Sequence, residues 1–237
     1  MTENQSFFKT DHIEGKVIYL LGVVALVQFI YPITESGNLL ILLISQAIYA
    51  SLIIVGIIIV RDNPRLVRIF VIFGIVWFVA GVVYALNQEA IWANIIGFGT
   101  YVVFYALQTG ILLRYIFMVR TITRDVLYGA IAAYLLIGGV FVGLFGILET
   151  MTFALSNGEV NAFVGGIAPE GAIFAWQDMI YYSYVTLTTL GYGDILPQTM
   201  LAKVAVSAES IIGVLYLTII MARLVSLYSA DVNAGEA

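Results

Sequence analysis

The sequence predicts an all-α membrane protein: six transmembrane helices and one shorter apolar segment that enters the bilayer and returns. Three observations predict it. Of 237 residues, 62% are hydrophobic and 11% charged, with a mean hydropathy of +1.02, far from the usage of soluble domains. Six uninterrupted apolar stretches reach the roughly 17–25 residues that a spanning helix needs: Val17 to Ile33, Leu39 to Val60, Leu66 to Leu86, Ile91 to Val119, Val126 to Met151 and Leu201 to Tyr228. A further run, Phe174 to Thr188, covers only about 22 Å at ~1.5 Å per residue, short of the roughly 30 Å hydrocarbon core.

Residues 1–16 read as a cytoplasmic leader, with Glu3, Lys9, Asp11, Glu14 and Lys16. No small-residue cleavage pattern follows the first apolar run, so that helix is expected to be retained. With the amino terminus inside, Lys9, Lys16, Arg61, Arg65, Arg68, Arg120, Arg124 and Arg223 fall on the inner side and Arg114 near it, leaving only Lys203 outside. This asymmetry follows the positive-inside rule, and six crossings bring the carboxyl terminus back to the cytoplasm. The expected location is the plasma (inner) membrane. The outer segments carry Glu35, Glu89, Glu149, Glu159, Glu170 and Asp194. Two readings of them stand: an acidic vestibule that concentrates cations, or a plain consequence of topology.

The chain divides into the leader, a four-helix segment at 17–121, a second membrane segment at 125–228 and a short cytoplasmic tail at 229–237. Cysteine is absent, which excludes disulfides, thiolate metal sites and cysteine nucleophiles. His12 is the one histidine and receives no role. No enzyme activity, organic cofactor or nucleic-acid partner is expected; the bilayer lipid is the first partner.

The stretch Thr150 to Thr199 breaks the pattern of helix and short loop. Ser156, Asn157, Gly158, Gly165, Gly166, Pro169 and Gly171 punctuate an exposed loop, and the apolar aromatic run from Phe174 follows. After it come Thr188, Thr189, Leu190, Gly191, Tyr192, Gly193 and Asp194. Non-helical backbone at membrane depth must be buried in protein or line a watery path. A dehydrated potassium ion needs stacked oxygen rings in place of its water, and backbone carbonyls supply them. Aligning successive carbonyls requires alternation between right- and left-handed backbone, which glycine adopts at little steric cost. Gly191 and Gly193 sit at alternate positions. Tyr192 is expected to pack its ring against Tyr181 and Tyr182. Thr189 adds a hydroxyl at the inner mouth, where the short helix aims the negative end of its dipole.

These residues resemble the signature of the potassium channel superfamily, Thr-Val/Leu-Gly-Tyr-Gly-Asp, matched by Thr189 to Asp194. The resemblance extends upstream through Tyr182 to Thr188 and downstream through Pro197 to Gly213, the position of the family's inner-helix hinge. It implies a six-helix prokaryotic-type channel with a pore helix, potassium bound at Thr189, Leu190, Gly191 and Tyr192 within a filter that ends at Gly193, and potassium as the permeant ligand. One loop supplies a quarter of each ring, so it further implies a fourfold symmetric homotetramer. It also implies that Asp194 bonds behind the filter to Tyr181; simple solvation of Asp194 is the other reading.

Glu209 lies about 12 Å along the last helix, a depth at which ionisable residues are costly and usually functional. Its surroundings resemble the inward-rectifier branch with glutamate in place of glutamine. Bracing the pore helix, tuning cavity charge, and a buried acid satisfied by neighbouring hydroxyls all stand. Gly213 is read either as a gating hinge or as a site of close packing. The fourth helix departs from the voltage-gated pattern: it holds only Arg114, so a structural collar is expected of the first four helices. A poorly selective cation channel and a non-conducting membrane sensor or assembly subunit are the alternative functions.

Overall fold

The computed structural model describes residues 15–29, 32, 39–61, 63–87, 90–119, 121–166 and 173–235. His12 and the rest of 1–14, together with Glu35, Glu89, Arg120, Pro169, Glu170 and Gly171, lie outside the described residues. The helices are α1 (Val17–Phe29), α2 (Leu39–Val60), α3 (Pro64–Leu86), α4 (Ile91–Met118), α5 (Arg124–Leu155), α6 (Trp176–Leu187) and α7 (Met200–Gly235). Among the described residues, four helical stretches are long and apolar enough to cross a membrane: Pro64–Leu86, Ile91–Met118, Arg124–Leu155 and Met200–Ser229. α1 has 13 residues and α2 has 22.

Local chemistry sets several helix ends. Asn63 caps α3 through its side-chain oxygen, which accepts from Arg65 N at 3.1 Å and Leu66 N at 3.3 Å. Pro64 takes the first helical position, where no N–H is needed. Thr123 caps α5 by accepting from Val126 N at 3.3 Å, and Asp125 in that first turn complements the helix dipole. Past the other end of α5, Asn157 (φ 54°) and Gly158 (φ 87°) turn left-handed, and Gly158 N closes onto Phe153 O at 2.9 Å.

The chain forms two compact units. The first comprises residues up to Ile75, Leu107–Leu136 and the chain from Tyr216. Here Gly56 faces the Phe70 ring at a distance that leaves no room for a Cβ, and a Cβ at Gly74 would meet Ile53 Cγ2 at 2.7 Å. Gln108 Nε2 donates to Leu52 O at 3.0 Å, and Tyr216 Oη to Ala130 O at 2.6 Å. Arg223 donates to the carbonyls of Phe117 and Val119, both at 2.8 Å, and its guanidinium lies 5.2 Å from the Phe117 ring centre. A cation from α7 thereby satisfies carbonyls that the end of α4 leaves open.

The second unit comprises Val76–Ala106 and Ile137–Leu215. Small residues bring its helices close, as lipid-embedded packing requires: Gly146 is covered by the Phe98 ring, and a Cβ at Gly143 would stand 2.5 Å from Val102 Cγ2. Trp77 stacks on Phe104 with ring centres 4.4 Å apart. The sequence pattern showed only helices; the structure adds a short sheet. β1 (Phe163–Gly165) pairs antiparallel with β2 (Ile195–Pro197), in the register Phe163 to Pro197, Val164 to Leu196 and Gly165 to Ile195.

Candidate functional site

Tyr181, Tyr182, Thr189 to Asp194, Glu209 and Gly213 all lie in the second unit, on α6, the segment 188–194 and α7. Asp178 accepts from Ala175 N at 3.2 Å at the start of α6. The buried face of the helix carries Met179, Ile180, Tyr182, Ser183, Val185, Thr186 and Leu187. At its end the backbone folds under itself. Thr188 N donates to Tyr184 O at 3.1 Å, Thr189 N to Thr186 O at 2.9 Å, and Leu190 N and Gly191 N to Val185 O at 2.9 and 3.2 Å.

The N–H groups of Thr188 to Gly191 are thus turned back onto α6. No carbonyl oxygen from Thr188 to Gly193 accepts a backbone hydrogen bond among the described residues, and residues 188 to 194 are all exposed. Left-handed backbone recurs at Thr189 (φ 59°), Gly191 (φ 58°) and Gly193 (φ 78°), while Leu190 and Tyr192 keep negative φ. Positive φ at a β-branched residue such as Thr189 is an outlier, and such strain gathers at functional sites.

The far end of this segment is anchored twice. Tyr181 Oη donates to Asp194 Oδ2 at 2.6 Å, and Asp194 O accepts from Gly166 N at 2.8 Å, beside the β1–β2 pair. Gly165 (φ 102°) passes so close to Asp194 O that a Cβ there has no space. The Tyr181 hydroxyl holds the Asp194 carboxyl below the ordinary carboxylate range, against an opposing effect of desolvation. A depressed folded value means that the bond's stabilisation is complete above the unfolded aspartate value of about 3.9 and is lost as pH falls through the folded one. Tyr181→Phe is therefore expected to loosen the segment at neutral pH, and in reconstituted protein to speed the decay of any current. Variant and parent are expected to converge once the pH has fallen through that lowered value. Equal decay at neutral pH would count against the bond.

Successive helical residues point about 100° apart, so Tyr182 leaves the side of Tyr181 and is buried against Phe145 and Phe163, with ring centres at 5.4 and 5.1 Å. The Tyr192 ring is 67% exposed in the single chain. Glu149 departs from its reading as an outer-segment acid: it is fully buried. Its Oε2 accepts from Ala162 N at 2.8 Å and Phe163 N at 3.2 Å. Its Oε1 accepts from Asn161 Nδ2 at 2.5 Å and Phe174 N at 3.4 Å. The acid thereby fastens α5 to both β1 and the approach to α6. Its position inside the apolar run Val126 to Met151 is the signal that marks it.

Glu209 is buried, and its Oε1 lies 2.6 Å from Ser183 Oγ on α6. That contact joins α7 to α6 through a hydroxyl. Gly213 is a site of close approach: a Cβ there would stand 2.5 Å from Leu187 O and 3.0 Å from Leu187 Cδ1. Backbone cannot yield as a side-chain tip does, so Gly213→Ala is expected to push α7 off the last turn of α6. Overpacking of this kind costs about 1–3 kcal/mol, read as a lowered midpoint of thermal unfolding in detergent. An unshifted midpoint would mean that the contact gives way freely.

The long apolar helices and the folded-back loop between α6 and α7 define an integral membrane protein. Residues 130–230 match the family model described as "Ion channel". The match spans the greater part of α5, all of α6, the 188–194 segment and most of α7. No curated protein and no solved structure shows significant similarity to the chain.

Proposed function

We propose that the chain is one subunit of a potassium-selective channel: a six-helix, fourfold symmetric homotetramer with both termini in the cytoplasm and the filter Thr189 to Gly193 on its axis. One observation carries this reading. The backbone N–H groups of Thr188 to Gly191 are consumed by α6, the carbonyl oxygens of Thr188 to Gly193 accept no backbone hydrogen bond among the described residues, and left-handed backbone recurs at every second residue. Unpaired carbonyls are costly unless something replaces water around them. A dehydrated potassium ion does so when four copies present their oxygens to it together.

Potassium binds in this reading at Thr189, Leu190, Gly191 and Tyr192, with the Thr189 hydroxyl adding oxygen at the inner mouth. The exposed Tyr192 ring finds its support against a neighbouring copy. Tyr181, Asp194 and the β1–β2 pair hold the outer end, and the Ser183–Glu209 contact holds α6 against α7. The ion follows its electrochemical gradient, and no bond is made or broken. The test is the reversal potential of purified protein in planar bilayers, with potassium on one side and sodium on the other. A potential far from zero, with the sign of potassium permeation, is expected. A value near zero would leave a poorly selective cation channel, and a silent tetramer would leave a sensor or assembly subunit.

A further inference from the structure

We propose that Glu209 is a neutral carboxylic acid whose proton closes a three-helix node with Ser183 and the Gly138 carbonyl, and that loss of this proton frees α7 from α6 and changes conduction. The second half rests on the channel reading; the first does not.

The argument is a count of hydrogens. Ser183 Oγ lies 2.9 Å from Gly138 O on α5 and 2.6 Å from Glu209 Oε1 on α7. A serine hydroxyl has one proton to give and can accept others. Gly138 O has none, so both contacts are hydrogen bonds only if Ser183 donates to Gly138 O and Glu209 donates to Ser183. With Glu209 ionised, the single serine proton would serve one acceptor and leave Oγ facing the other bare. The second carboxyl oxygen points the same way: Glu209 Oε2 is enclosed and has no hydrogen-bond partner among the described residues. An unpartnered carbonyl oxygen is tolerable there, whereas an unpartnered oxyanion is far more costly.

The surroundings offer no compensating charge. From α6 the phenols of Tyr182 and Tyr184 face Glu209, and Tyr105 of α4 faces Tyr184 in turn. α5 presents the Gly138 carbonyl. Among the described residues no Lys, Arg or His acts on the Glu209 carboxyl. When hydroxide takes the proton, the node loses its closing bond and gains an unpaired charge, so α7 is driven away from α6. One helical turn further on, Gly213 packs on Leu187 O, the last helical residue before the 188–194 segment. Displacement at Glu209 is therefore delivered to the root of the filter.

The reconstituted protein tests both halves, by infrared difference spectroscopy and by potassium flux at about pH 7 and about pH 10, where ordinary carboxyls do not titrate. At the lower pH the parent is expected to show the C=O band of a neutral acid, and Glu209→Gln to lack it. Parent flux is expected to differ by about 5-fold or more between the two pH values, the lower end of usual coupling strengths. Glu209→Gln, whose amide keeps donating to Ser183 and cannot ionise, is expected to give a flat profile. Ser183→Ala, which keeps the acid and removes its acceptor, is expected to bring neutral-pH flux to the parent's alkaline level. A parent without the band at neutral pH overturns the node while flux still stands. A Glu209→Gln profile equal to the parent's overturns the latch. A band without flux at either pH defeats the channel reading, and the latch with it, but leaves the neutral acid in place.

Discussion

Gly191→Ala is expected to abolish selective potassium conduction while leaving the protein folded and assembled. Within the chain a Cβ at Gly191 meets nothing within 4 Å, so the fold itself has room for it. The cost lies in the backbone, because φ is 58° at this residue and a left-handed conformation costs an L-residue with a side chain about 1–2 kcal/mol. That amounts to roughly 5–30-fold against the required conformation in each subunit. A ring of carbonyls needs all its members at once, so the handicap multiplies over the four copies proposed. The reversal potential between potassium and sodium is expected to move to near zero, or flux to vanish, with the elution volume of the tetramer unchanged. A variant that keeps the parent's selectivity would remove the carbonyl geometry from the account. Thr189 adopts the same backbone hand without glycine's licence, and the bonds that pull residues 188 to 191 under α6 hold it there.

Glu149→Ala is expected to be the most destabilising single substitution outside the 188–194 segment. It leaves the backbone N–H groups of Ala162, Phe163 and Phe174 without the acceptor they share in the fully buried carboxylate. A buried donor stripped of its partner costs about 1–3 kcal/mol, so for three donors the loss is roughly 3–9 kcal/mol before water enters. The free energy of folding is itself only about 5–15 kcal/mol for a typical domain. The variant's β1–β2 pair loses its tether to α5, and the Asp194 end of the segment is freed with it. Denaturant titration of the solubilised protein, followed by aromatic circular dichroism, measures the change. Glu149→Gln, which retains an acceptor but turns an N–H₂ toward donors, is expected to fall between. Midpoints that do not move in either variant would show that the carboxylate merely fills space.

How much of this was legible beforehand follows the range of each interaction. α2 begins and ends where its apolar run does, and α6 was recognisable because its run is too short to cross and ends in threonines. The left-handed positions at Gly191 and Gly193 could be read from glycine spacing, since backbone hand is a local property. The packing of Tyr182 on Phe145 and Phe163 was not legible, because those rings arrive from 37 and 19 residues away in sequence. Glu149 looked like a loop acid because it stands two residues before Met151, and its four donors arrive from 12 to 25 residues away. Gly213 presented two readings, and the close approach of Leu187 O is visible only in the structure. Paired strands of three residues each carry too little pattern to be seen without their register.

Arg223 has a mechanical meaning. Its Nη2 grips the end of α4 from α7, and only the few residues between Met118 and Arg124 separate α4 from α5. Turning α4 about its own axis must either carry that stretch of α7 with it or break both bonds to Arg223.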